Sequence, residues 1–246
     1  RFVDRTRAAF VEIESAVRNA AAAGRGAEGV IRIGIFPGPM PVFLTELVKD
    51  FREAHPNVGL DFVAGSMRER IAKVMGRSLD IAIIAGANLA PDCDTERLWS
   101  ARICVVLPDN HMLAICEAVD WMYLREERFI FGSDWGSEYF RDVVTQHFGS
   151  VDSRSVIETF PVCQETLFQL VALGLGVSLT RESCLANSYS GVVIRPLLGD
   201  DDWVDHSVVW LPENDNPALR RLLSLARVKA GHQRSARSSR SDSDSA

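Results

Sequence analysis

Short apolar segments alternate with helix-like segments along the first part of the chain, and this alternation limits the possible folds more than any other feature. VIRIGIF at 30–36, VGLDFVA at 58–64 and DIAII at 80–84 predict strands. The segment between the first two has apolar residues three and four positions apart, which predicts a helix: Leu44, Leu47, Val48 and Phe51. Strand–helix–strand order is typical of a doubly wound α/β layer with a parallel sheet.

The helix between the second and third strands has its own start signal. Ser66 is followed three residues later by Glu69, and this S-x-x-E spacing predicts a capping box in which Ser66 caps the helix. After residue 100 the alternation begins again, with further strands expected at 101–107, 128–131, 155–159, 177–180, 192–196 and 207–211. The sequence therefore predicts a second α/β unit, after which a final helix beginning at Pro217 returns to the first.

The two ends of the chain have different compositions. Residues 1–23 show one apolar seam at helical spacing, so we predict a helix over 1–28 that either pairs with a second copy or folds back on the body. Residues 231–246 are rich in Ser, Arg and Asp and have little to bury, which predicts a disordered tail.

Composition excludes several classes of protein. The net charge of −6 at pH 7 makes the chain a poor binder of nucleic acid, and no apolar run reaches the length of a membrane-spanning helix. The five cysteines are scattered and odd in number, without a C-x-x-C pair, which favours a reducing cytoplasm and argues against structural zinc. The five histidines have no ligand spacing and suggest no Ser/His/Asp set, so we expect no metal, no cofactor and no catalytic residues.

Six segments carry a resemblance to a known family. They are GVIRIGIF (29–36), FREAHPNVGLDFVAG (51–65), LDIAIIAG (79–86), LPDNHMLA (107–114), LVALGLGVSLTRES (170–183) and VVWLPENDNPALRRLL (208–223). In their order and spacing they resemble the effector-binding region of the LysR-type transcriptional regulators.

The resemblance implies a periplasmic-binding-protein-like fold of type II, in which two Rossmann-like subdomains are joined by crossover strands, here 101–107 and 207–211. Subdomain I would comprise 29–104 with 207–230, and subdomain II would comprise 105–206. A small-molecule effector would bind in the cleft between the subdomains. The resemblance also implies a cytoplasmic homodimer or homotetramer that contacts DNA only through an N-terminal winged helix-turn-helix absent from this chain.

In this fold ligands bind at the carboxyl ends of the strands. One such end carries Pro37, Pro39 and Pro41, which lack N–H groups, so this side of the site is expected to be rigid and poor in donors. The segments predicted to line the other side of the cleft carry hydroxyl, amide and indole groups. These groups suit an aromatic or amphipathic effector better than a strongly charged one. Arg68 or Arg102 could still supply a cation. The predicted effector-binding residues are Phe36, Gly38, Pro39, Met40, Ser66, Met67, Ser133, Trp135, Gln164, Thr166 and Thr180.

Three alternatives remain at this point. A solute-binding protein of a transporter would share the two-lobed architecture but would need an export signal. An enzyme on the same fold would need an acid/base pair or a cofactor lysine in the cleft. A redox-sensing regulator would use Cys163, which precedes a predicted helix, although a buried inert thiol is the commoner state of a cysteine.

Overall fold

A computed structural model describes residues 29–86, 91–132, 135–149, 157–199 and 202–241, with their side chains except at 135–138 and 233–241. Among these residues the elements follow in the order β1 (Gly29–Ile35), α1 (Val42–Ala54), β2 (Val58–Ala64), α2 (Met67–Met75), β3 (Ile81–Ala85), β4 (Asp94–Pro108), β5 (Val119–Asp120), β6 (Phe129–Gly132), α3 (Trp135–Phe148), β7 (Ile157–Phe160), α4 (Gln164–Ala172), β8 (Ser178–Arg181), β9 (Val192–Leu198), β10 (Trp203–Trp210) and α5 (Pro217–Ser241). Short 3₁₀ helices span Met112–Ile115, Trp121–Leu124 and Glu182–Cys184.

The described residues divide into two compact units. The first contains 29–36, 40–99 and 205–241, and the second contains 37–39 and 100–204. The chain passes from the first unit to the second within β4 and returns within β10. These strands overlap the two predicted crossover strands, but β4 begins seven residues earlier than predicted, at Asp94 instead of Ala101. The predicted subdomain boundaries stay predictions.

The first unit has a sheet in the order β2-β1-β3-β10, with β1 parallel to both of its neighbours and β10 antiparallel to β3. All five residues of β3 are buried, as expected for a strand of a sheet covered on both faces. The apolar stripe of α1 is buried as its spacing predicts, through Phe43, Leu44, Leu47 and Phe51. The three predicted strands of this unit are therefore confirmed.

A column of stacked rings lies where β4 and β10 leave the first unit. The indole of Trp99 is parallel to the imidazole of His206, with ring centres 4.6 Å apart, and Phe43 stacks on Trp99 at 4.9 Å. Phe36, the residue before the proline-rich segment, lies 5.8 Å from His206. The burial of these rings holds the start of the β1–α1 loop against both connecting strands.

The second unit is built around β4. β8 and β9 pair with β4 in antiparallel orientation, and β5 extends the sheet beyond β9. β6 and β7 form a parallel pair, which is joined to the segment before β8 by hydrogen bonds between the backbones of Ile130 and Val177 and of Val177 and Arg128. The carboxyl ends of β6, β7 and β8 therefore lie at the same edge of the unit.

Two predictions concern the ends of the chain. The predicted linker helix at 1–28 lies outside the described residues. The structure continues α5 to Ser241, which corrects the predicted tail beginning at residue 231. After Gly231 this segment contains no proline and no further glycine, and Ala, Arg and Gln are good or tolerable helix formers. None of the helices in the described part of the chain is long and apolar enough to cross a membrane.

Candidate functional site

The predicted capping box at the start of α2 is confirmed. Ser66 Oγ accepts a hydrogen bond from the backbone N–H of Glu69 at 3.2 Å and donates one to the Glu69 carboxylate at 2.9 Å. The same carboxylate accepts from the backbone N–H of Ser66 at 2.8 Å. These bonds from Ser66 hold the pKa of Glu69 below its ordinary value. The polar groups of Ser66 are thus used within the first turn of the helix.

The β1–α1 loop explains why a glycine stands between prolines. Gly38 has φ +107°, a conformation that L side chains rarely adopt. A Cβ on Gly38 would also lie 3.0 Å from Oε1 of Gln164, the first residue of α4. Both Gly38 and Gln164 belong to the second unit. The loop tip therefore needs glycine for its backbone and for its close approach to Gln164.

The start of α4 differs from that of α2 because its N-cap is a cysteine. Cys163 occupies the N-cap without a side-chain cap hydrogen bond, and its Sγ lies 3.4 Å from the hydroxyl of Thr166. Cys163 is exposed, which differs from the buried inert thiol that is commoner for cysteine. The first turn of α4 therefore presents a thiol, a hydroxyl and the Gln164 amide together.

Gln164 reaches a second sulfur in the interior of the unit. Its Nε2 donates to Sγ of Cys184 at 3.2 Å, and the buried hydroxyl of Thr180 donates to the same sulfur at 3.1 Å. Burial raises the pKa of Tyr189, and the neighbouring Cys184 raises it further. Cys184 is thus a buried thiol surrounded by hydrogen-bonding groups from three parts of the second unit.

We call Gly38, Gln164, Thr166, Thr180 and Cys184 the Gln164 cluster. It joins the β1–α1 loop, the first turn of α4 and the end of β8. Because β7 and β8 end at this edge of the unit, the cluster occupies the position at which ligands bind in open α/β sheets. It offers amide, hydroxyl and thiol groups for hydrogen bonding. The described residues include no group of His, Cys, Asp and Glu that could hold a metal ion.

The other predicted site residues have different surroundings. Pro39 belongs to the loop tip in the second unit, whereas Phe36, Met40, Ser66 and Met67 belong to the first. Phe36 is buried and Met67 packs partly against the first unit's core, while Met40 is exposed. Ser133 and the side chain of Trp135 lie outside the described residues. The effector-binding roles of all eleven residues stay predictions.

Sequence reasoning did not include Cys184 or Cys104 in the site. Nothing in the sequence brings Cys184 beside Gln164 and Thr180. Cys104 pairs with Thr180 across β4 and β8 and is fully buried. Burial raises the pKa of its thiol to about 12, with smaller contributions from Glu182 and Cys184.

Comparison with known proteins places this geometry in a family. The LysR substrate binding domain family matches residues 24–230. The HTH-type transcriptional regulator XapR of Escherichia coli (strain K12) is 28% identical over 207 residues, a match that covers 82% of this chain and 68% of XapR.

Solved structures share the fold. The effector binding domain of QuiR in complex with shikimate aligns with a TM-score of 0.71 and 21% identity, covering 83% of this chain and 99% of that one. The BenM effector binding domain with its effector benzoate aligns with a TM-score of 0.70 and 19% identity, covering 83% and 93%. The predicted periplasmic-binding-protein-like fold is confirmed. The chain belongs to the LysR substrate-binding domain family, the effector-sensing part of LysR-type transcriptional regulators.

Proposed function

We propose that the second unit binds a small cyclic effector through the Gln164 cluster, and that this binding regulates a DNA-binding part of the full protein. The observation that supports the proposal most directly is the side chain of Gln164. Its Nε2 bonds to Cys184 at 3.2 Å, and its Oε1 lies against Gly38, so that one residue connects the loop with the interior of the unit. A ligand that bonds to Gln164 would alter both contacts.

The class of effector follows from the groups that the cluster presents. Hydroxyl, amide and thiol groups can orient a ring that carries several hydrogen-bonding substituents. The domains of QuiR and BenM, which share the fold, are bound to shikimate and benzoate, both of which are small rings. These likenesses support a small cyclic effector for this chain.

Under the same proposal, effector binding changes the conformation of the rest of the protein. An effector can shift a conformational equilibrium only by its difference in affinity for the two states. We expect that difference to be passed to a winged helix-turn-helix within a homodimer or homotetramer. In support, the relative XapR is named an HTH-type transcriptional regulator. The described chain would act as a sensor and not as an enzyme, in the cytoplasm.

The test is a thermal-shift screen of aromatic acids, phenols, amines, amino acids and cyclic polyols. A ligand at 100 times its Kd adds about 2.7 kcal/mol, which raises Tm by roughly 5 to 10 °C for a chain of this size. Gln164→Ala should remove the shift. Gln169→Ala, on an exposed position of the same helix, should keep it. A screen without any hit, or a hit that Gln164→Ala leaves intact, would contradict the proposal.

A redox role for Cys163 is a second candidate, because its thiol is exposed at the N-cap of α4. Cys184, the nearest cysteine in sequence, is buried and accepts hydrogen bonds from Gln164 and Thr180. The screen should therefore be repeated with oxidant and with reductant. If Tm responds only to redox state, and Cys163→Ser abolishes that response, the redox role replaces effector binding.

A further inference from the structure

Arg102 is a charged residue in the otherwise apolar segment ARICVVL of β4. Alternate residues of a strand share one face, so Arg102, Cys104 and Val106 lie on the same side of β4. Cys104 and Val106 belong to the buried cluster under α4 that also contains Cys184. Arg102 therefore lies on the face of the sheet that carries the Gln164 cluster.

The register of β4 and β8 places Arg102 at the ligand-binding edge. Cys104 is opposite Thr180, and Ile103 is opposite Arg181, the last residue of β8. Arg102 is the next residue towards the edge at which β8 ends. Two residues along a strand cover about 7 Å, so the start of the Arg102 side chain is about this far from that of Cys104.

The charge of Arg102 has an aromatic neighbour, and it has no ion-pair partner in the described part of the chain. Its guanidinium carbon lies 5.4 Å from the ring centre of Trp203. Its Nε is buried and has no hydrogen-bond acceptor there, and none of the ion pairs among the described residues includes Arg102. Buried guanidinium N–H groups normally have an acceptor and buried charges are normally paired.

We propose that Arg102, supported by Trp203, binds an oxyanion of the effector, while the ring of the effector lies towards the Gln164 cluster. The planar guanidinium can donate two parallel hydrogen bonds to a carboxylate or to a phosphate. Its position over the indole holds that plane in place. This inference rests on the proposed function. It differs from the expectation from sequence that a strongly charged effector is less favoured, and it develops the role of cation that the sequence left open for Arg102.

The binding test compares ligands that differ in charge but not in ring. Benzoate and phenyl phosphate are compared with neutral benzamide, and shikimate is compared with its methyl ester, by calorimetry on the intact chain. The anionic member of each set should bind at least about tenfold more tightly. The affinities of benzoate and phenyl phosphate are then compared with each other. The tighter of the two shows whether the site prefers a carboxylate or a phosphate.

Variants test whether Arg102 causes the preference for anionic ligands. Arg102→Gln should lower affinity for the anionic probes about tenfold and leave the neutral ones unchanged, whereas Arg102→Lys should retain part of the preference. Arg220→Gln changes the net charge equally on an exposed position of α5 and should have no effect. Binding that ignores ligand charge, or an unchanged preference in Arg102→Gln, overturns this inference alone. No binding by any probe overturns it together with the proposed function.

A measurement without ligand tests the same idea independently. Arg102→Met removes a half-buried charge and keeps an unbranched side chain over Trp203. If no acidic side chain of the protein forms an ion pair with Arg102, the variant should be at least as stable as the wild type in urea unfolding. A clear loss of stability would show that the charge is paired within the chain and would overturn the inference.

Discussion

The helices α2 and α4 both begin at predicted effector-binding residues, yet their first turns are built differently. The N-cap of α2 is Ser66, whose hydroxyl and backbone N–H both bond to Glu69 in a complete capping box. The N-cap of α4 is Cys163, which makes no side-chain cap hydrogen bond. The side chain of its first residue, Gln164, bonds instead to Cys184, on a different element.

This difference separates a structural helix start from one that is suited to binding. The first four N–H groups of a helix have no partner within the helix, and a good cap satisfies some of them at the cost of their availability to a ligand. In α2 the sequence itself provides the partners. In α4 the thiol of Cys163 and the hydroxyl of Thr166 lie against each other, but the amide of Gln164 bonds to another part of the second unit, where a ligand can compete for it. We therefore expect changes in α2 to affect stability and changes in α4 to affect binding.

The largest stability effect should come from Ser66→Ala. The variant loses the cap hydrogen bond and should lower the free energy of unfolding by about 1 kcal/mol, measured by urea denaturation. Cys163→Ala is the matched control, and it should have little effect because no cap hydrogen bond is lost. Equal losses in the two variants would contradict the distinction between the two helices.

A smaller effect should appear as a pH dependence of α2. Because the bonds from Ser66 hold the pKa of Glu69 below its ordinary value of 4.5, the carboxylate contributes stability above that pH. The contribution should be lost as the pH falls through the lower pKa of the folded state. Unfolding curves between pH 7 and 3 should therefore converge for the wild type and Glu69→Gln. Parallel curves over that range would show that the ionised carboxylate of Glu69 does not contribute to stability.

The smallest effect should come from Cys163→Ser, which places a good N-cap residue at the start of α4. We expect a gain of a few tenths of a kcal/mol up to about 1 kcal/mol in unfolding free energy. The same variant should bind an effector found in the screen more weakly, since the new cap competes for N–H groups of the first turn. Greater stability together with unchanged affinity would indicate that the effector does not use this helix start.

Much of the fold could be predicted because its signals are local. The apolar strands at 30–36 and 80–84 and the stripe of α1 follow from periodicity, and the capping box of Ser66 follows from two residues three positions apart. Strand limits were less accurate: β4 begins seven residues before its prediction. The extra residues include Glu96 and Arg97, whose charges conceal the strand pattern.

The sequence by itself determined the family, the alternation of strands and helices, and which residues cap α2, because each depends on neighbours in the chain or on a pattern of segments. Only the tertiary structure decided that Gln164 meets both Gly38 and Cys184, and that Arg102 lies on the face of β4 that carries them. These residues are far apart in the chain. They come together through the pairing of β4 with β8 and the packing of α4, which depend on the whole second unit and leave no local pattern in the sequence.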